Sequence, residues 1–153
     1  MTIQSIICDG RKGLLQQFPD IPCQLCQFHQ VKTVTTDLTR NPKTEAARAL
    51  YKLILSLKSS KKAVFQTALN AWYEQYRGFL NGRTFNEETG KSHCTHKRLR
   101  SAYLSLERNM AYLFTFEDYP DLHIPNTTNL LDGRFADLKQ KLGGHKGMNE
   151  EGK

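Results

Sequence analysis

The sequence predicts an α+β fold that is mostly α. Three observations carry this. Two short apolar runs near the N-terminus read as strands, the first ending in Asp9 and the second in Cys26. Apolar residues at helical spacing then fill most of the chain from residue 46 to residue 106. A last helical stripe follows a loop bracketed by Pro120 and Pro125.

Taken in order, residues 3–9, IQSIICD, form the first expected strand, and Gly10 supplies a turn. Residues 12–18 fit a short helix, which Pro19-Asp20-Ile21-Pro22 ends. Residues 22–26 fit a second strand, with Gln24 and Cys26 on one face and Cys23 and Leu25 on the other. A helix is expected from about His29. Asn41-Pro42 reads as an N-cap and first-turn proline. Ala46, Ala49, Leu50, Leu53, Ile54 and Leu57 follow it at helical spacing. Ser59-Ser60 interrupts that pattern.

A second stripe runs through Val64, Phe65, Ala68, Leu69, Trp72, Tyr73, Tyr76, Phe79 and Leu80. NGRTFNEETGKS, residues 81–92, reads as a polar loop. Leu99, Ala102, Tyr103 and Leu106 mark a third helix, flanked by Lys97, Arg98 and Arg100. Residues 110–119 are apolar and aromatic without a clear period. In the final segment, Asn126 to Asn129 offers N-cap candidates. Leu131, Phe135, Leu138 and Leu142 then form a stripe that Gly143-Gly144 closes.

A chain of 153 residues can build one domain with its own core. Lys and Arg number 22 against 15 Asp and Glu, a net charge of +7. That balance suits an anionic partner such as nucleic acid, with an ordinary basic protein as the alternative. No stretch reaches the ~18 apolar residues of a membrane span. The N-terminus lacks the order of a signal peptide. A cytoplasmic protein is expected, and with it thiols or ligands rather than disulfides for Cys8, Cys23, Cys26 and Cys94.

Two carboxylates stand out. Asp9 ends an apolar strand, where an α/β sheet presents side chains to a ligand. Asp132 flanks the stripe of the last helix, and a helix packed on the sheet would hold it near the sheet's rim. Its first-turn position favours the ionised form. Such a pair can hold Mg²⁺, a hard ion that prefers oxygen ligands, for phosphodiester chemistry. The plainer alternatives are a turn former at Asp9 and a helix-start charge at Asp132.

Cys23, Cys26 and His29 stand three residues apart. Zinc could take them with His93, Cys94 or His96, if four ligands met as a tetrahedron. A redox pair and buried, satisfied side chains are the other readings. Trp72, Tyr73 and Tyr76 could stack on bases or belong to the core. Lys97, Arg98, Arg100, Arg134, Lys139, Lys141 and Lys146 could contact phosphates or form solvated faces.

ICDG, then CQFH, then NTTNLLDG followed by a Lys-rich helix, resembles bacterial insertion-sequence transposases of the Mutator-like superfamily. THKRLRSAY and YLFTFEDYPDLHIPNTTN are similar to that group as well, so the resemblance covers nearly the whole chain. It implies DDE/D chemistry on a partial ribonuclease-H-like fold. Residues 1–36 would be part of that core and 37–120 an all-helical insertion that helps hold the transposon end. Residues 121–153 would return to the core with the catalytic-acid helix and a short tail.

Asp9 would match the second catalytic acid, and Asp132 the third, usually Glu in the family. Cys26 and His29 would match the Cys-x-x-His signature, leaving Cys23 incidental. The implied cofactor of the full-length enzyme is Mg²⁺ or Mn²⁺, and zinc is not expected. The implied partners are double-stranded DNA, as transposon ends and target, and a second copy of the chain, with no membrane. The family's first acid lies upstream of the residues that match here, so a fragment inactive alone is expected. The alternatives are a non-catalytic basic DNA-binding module and a small zinc protein built on Cys23, Cys26, His29 and the His93–His96 cluster.

Overall fold

A computed structural model describes residues 2–10 and 13–143, without the side chains of 130–132, 142 and 143. It is mostly helical, with two small two-stranded sheets among the described residues.

Strands β1 (Ile6–Cys8) and β2 (Cys23–Leu25) pair in parallel, Ile6 with Cys23 and Cys8 with Leu25. The connection between them carries the short helix α1 (Leu14–Gln17). Both strands are shorter than their apolar runs. The ladder nevertheless runs on at each end, through Ile6 N–H to Pro22 O at 2.9 Å and Cys26 N–H to Cys8 O at 2.8 Å. All three residues of β2 are buried, so the alternation of faces expected for it does not expose either side.

Helix α2 (Gln27–Leu38) starts directly from the end of β2, two residues before the expected place. Helix α3 (Glu45–Leu55) begins later than Asn41-Pro42 implied. Its cap is Thr44, whose hydroxyl accepts the Ala47 N–H at 3.3 Å. That bond satisfies one orphan donor of the first turn, and Glu45 beside it complements the helix dipole. Pro42 is buried ahead of the helix. A 3₁₀ turn, Leu57–Ser59, leads into α4 (Lys62–Leu80).

The segment expected as a polar loop is an antiparallel hairpin, β3 (Arg83–Asn86) and β4 (Lys91–Cys94). The insertion is therefore not all-helical, and the chain has strands beyond the two expected. Its turn forms because Asn86 Oδ1 accepts the N–H groups of Glu88 and Thr89, and Gly90 takes φ +66°. Helix α5 (Lys97–Leu113), the short α6 (Thr115–Asp118) and a 3₁₀ turn at Pro120–Leu122 follow. Helix α7 (Asn129–Gly143) is the last element.

One core joins these parts. Leu50, Ile54, Leu57, Phe65, Leu69, Leu106, Leu113 and Phe114 are almost fully buried and continuous with Cys8, Leu25 and Val34. Each such large side chain stabilises the fold by roughly 1.5–3 kcal/mol. Trp72 belongs to this core. Its Nε1–H donates to Ala46 O at 3.0 Å and its ring stacks on Tyr103, so it offers no platform for a base. Two positions of the α4 stripe depart from it: Val64 is exposed, and Phe79 instead stacks on His96 with ring centroids 3.8 Å apart.

The stripe on α7 behaves differently from the expectation. Phe135 and Leu138 are 59% and 49% exposed, so the described part of this helix does not pack flat on the sheet. The β1–β2 pair is only two strands wide, and β2 is already covered by α5 and α6. Among the described residues no helix is long and apolar enough to cross a membrane.

Candidate functional site

The carboxyl ends of β1 and β2 form one rim. Asp9 follows β1 directly and is exposed. Gly10 takes φ +94°, a backbone conformation that favours glycine, and turns the chain away from the rim. Cys26 follows β2 and is the N-cap of α2, with only 1% of its surface exposed.

The late Asn-Thr-Thr-Asn segment returns to this rim. Gln27 N–H donates to Asn126 O at 2.9 Å, and Asn126 Nδ2 donates to Gln27 Oε1 at 3.1 Å. Thr128 places two donors on Cys26 Sγ, its N–H at 3.2 Å and its hydroxyl at 3.4 Å. The thiol in turn reaches Thr127 Oγ1 at 3.7 Å. Thr127 Oγ1 also accepts the Asn129 N–H at 3.2 Å, which turns the chain into α7.

These bonds set the charge on sulfur. Burial would raise the Cys26 pKa. Against it act the Thr128 hydroxyl, the Thr128 N–H, and the backbone and side chain of His29, all of which favour the thiolate. The balance lowers the thiol to about 6. Cys8 and Cys23 are pushed the other way, chiefly by burial. Cys26 and His29 thus do come together. Cys23 takes no part in the cluster: its carbonyl accepts the Thr115 hydroxyl at 2.7 Å.

Asp132 lies four residues past Thr128 on α7, about 6 Å along the helix axis. Its side chain lies outside the described residues, as does Lys146. The structure therefore places the backbone that carries Asp132 beside the rim that carries Asp9. Arg134, Lys139 and Lys141 are exposed on α7, and Lys141 pairs with Asp137 at 2.8 Å. Lys97, Arg98 and Arg100 are exposed at the start of α5.

A cleft of about 640 Å³ opens beside Asp9, with Cys26 and Gln30 on one wall and Arg108, Asn109 and Tyr112 of α5 on the other. Sequence reasoning missed Arg108. The only signal was its place on the polar side of the α5 stripe, two residues after Leu106. The wall is held by a relay in which Asn109 Nδ2 donates to Gln30 Oε1 at 2.7 Å and Gln30 Nε2 to Ser105 Oγ at 2.9 Å. Among the described residues no three His, Cys, Asp or Glu side chains are grouped to hold a metal ion. No family model, curated protein or solved structure matches this chain.

Proposed function

We propose that this chain is part of a DNA-recombining enzyme, a DDE/D transposase that cleaves and joins phosphodiesters at transposon ends. One observation carries the reading. The segment entering α7 is hydrogen-bonded to Cys26 and Gln27, at the same strand rim where Asp9 stands. Two segments that bear acids, 123 residues apart in Asp9 and Asp132, thus converge on one edge. Parallel pairing supports it too. Parallel strands occur mostly inside larger covered sheets, yet Ile6 and Ile7 are only half-buried here.

The donor chemistry fits a hard divalent cation. Mg²⁺ binds through one or two carboxylates, and water and substrate phosphate fill its other positions. Asp9 and Asp132 would be those carboxylates. The ion, when bound, would supply Lewis-acid stabilisation of charge at the scissile phosphate. The chain's own parts do the positioning. Cys26 fixes the start of α7, Gly10 clears the rim, and Arg108 faces the cleft with a cation suited to a phosphate oxygen.

Iron-mediated cleavage of the polypeptide tests this without requiring activity. Fe²⁺ with ascorbate and peroxide should cut the backbone near residues 9 and 132. Excess Mg²⁺ should suppress both cuts, and Asp9→Asn or Asp132→Asn should abolish both. Cuts centred on His93–His96 would favour the zinc reading. Cuts that survive both substitutions would end the two-carboxylate assignment and leave a DNA-binding module.

A further inference from the structure

The β3–β4 hairpin is rigid at its root and unpacked along its blade. At the root, Thr95 N–H donates to Gly82 O at 2.9 Å, His96 stacks on Phe79, and Cys94 Sγ reaches Leu80 O at 3.8 Å. A Cβ on Gly82 would come within 3.2 Å of Phe79 O, so the chain also turns tightly there. Beyond the root every hairpin residue from Arg83 to His93 is exposed, Phe85 by 63%. An isolated two-stranded ribbon gains little stability in water by itself. A ribbon fixed at one end and bare along its length is suited to contact something outside the chain.

Charge says what. Residues 81–100 hold five Lys and Arg against two Glu, a net +3 of the chain's +7. Two of these cations are held by neutral oxygens. Arg83 donates to Ser92 Oγ at 3.0 Å and to Ser92 O at 3.1 Å, and Arg100 donates to Asn81 Oδ1 at 2.7 Å. Those partners orient the guanidinium groups without cancelling their charge. Glu87 and Glu88 sit in the turn, so the tip itself does not suit an anion.

The register gives a dimension. Arg83 pairs with Cys94 and Lys91 with Asn86, so the two cations stand three residue steps apart along the ribbon. At about 3.3 Å per step that is roughly 10 Å. The major groove of B-DNA is about 12 Å wide and admits a two-stranded ribbon. The A-form groove of duplex RNA is deep and too narrow for side chains to read.

We propose that the hairpin lies along the major groove of duplex DNA, with Arg83 and Lys91 on flanking phosphates. Lys97 and Arg98 at the start of α5 continue the same surface. This rests on the DNA reading above and adds a contact element to it.

The test is fluorescence anisotropy of the full chain on a roughly 25-bp duplex, between about 50 and 200 mM salt. Arg83→Ala/Lys91→Ala should weaken binding about tenfold and reduce the log–log salt slope by about 2. Arg48→Ala/Lys52→Ala on α3, which removes equal charge elsewhere, should weaken it less than about threefold. Equal losses in the two variants would reduce the effect to net charge and overturn the proposal. No loss in the hairpin variant would overturn it while leaving DNA as a partner. Equal affinity for a duplex RNA would overturn the groove assignment. A wild-type chain that binds no duplex at all would overturn both this proposal and the DNA partner, with the iron-cleavage readout still independent.

Discussion

Thr128 holds Cys26 across 102 residues of sequence, with its N–H 3.2 Å and its hydroxyl 3.4 Å from the sulfur. The sulfur sits where β2 becomes α2, and Thr128 sits where the chain enters α7. The pair therefore joins the sheet rim to the helix that carries Asp132. Thr128→Val keeps the shape of the side chain and removes one of the two donors. It should raise the Cys26 pKa above about 6 and cost about 1 kcal/mol. Amide exchange at residues 127–130 should quicken. Thiolate absorbance followed against pH, with exchange by mass spectrometry, measures both. An unchanged titration would mean that the hydroxyl does not stabilise the thiolate.

The same thiol makes stability depend on pH. A thiol ionises to an anion, so a depressed pKa behaves as it does for a carboxylate. The unfolded value is near 9.0 and the folded one about 6. Between them the unfolded chain holds a proton that the folded chain has released. Stability from Cys26 is fully present above about pH 9 and is lost as pH falls through 6. Cys8 and Cys23 are raised instead, so their stabilisation declines only above pH 9. Urea midpoints should therefore climb from pH 6 to 8.5 in the wild type and flatten in Cys26→Ser. Parallel curves for the two proteins would show that no thiolate forms in the fold.

How much of this was readable beforehand follows from range. Helices α3, α4 and α5 were legible because Leu50, Ile54, Leu69, Trp72, Ala102 and Leu106 repeat at the helical period and face one core. The hairpin was not. RTFN and KSHC have no apolar alternation, since neither face is buried, and alternation is the signal that marks a strand. Only the Asn86 to Gly90 turn chemistry pointed to it. At the site, Cys26 and His29 were picked out by resemblance to a family motif. Thr127 and Thr128 read merely as helix caps, because no local pattern reports a contact 102 residues away. The exposed stripe on α7 was missed for the converse reason. Periodicity shows that a face is apolar and cannot show what covers it.

Gln24 ties the rim to the helical block and predicts a coupled pair of losses. It is fully buried, and its Nε2 donates to Leu25 O at 2.7 Å and Leu113 O at 2.8 Å. Its Oε1 accepts the Phe116 N–H at 3.0 Å. Gln27 Nε2 reaches the same Leu113 carbonyl at 2.9 Å. Gln24→Leu leaves the Phe116 N–H without its acceptor and should cost about 1–3 kcal/mol. Leu113 O keeps one donor in either single variant and none in Gln24→Leu/Gln27→Leu. The double variant should therefore lose more than the sum of the singles. Denaturant titrations followed by the fluorescence of Trp72, the only tryptophan, measure all four proteins. Simple additivity would show that the shared carbonyl is satisfied in some other way.

Thr39 predicts a gain. It is the C-cap of α2 and takes φ 66°, ψ 166°. That region is open essentially to glycine, and a β-branched side chain there costs about 1–3 kcal/mol. Thr39 is exposed, so its side chain returns little of this by packing. Glycine would relieve the strain but would also free the unfolded chain, which offsets about 0.4–1 kcal/mol. Thr39→Gly should therefore stabilise the protein by about 1 kcal/mol net, whereas Thr39→Ala, which keeps a Cβ, should gain less. The helix end supports the choice, since glycine is the common residue where a helix leaves its right-handed path. Thermal unfolding of the three proteins settles the order. A lower midpoint for Thr39→Gly than for the wild type would mean that residue 39 does not hold this backbone conformation in solution.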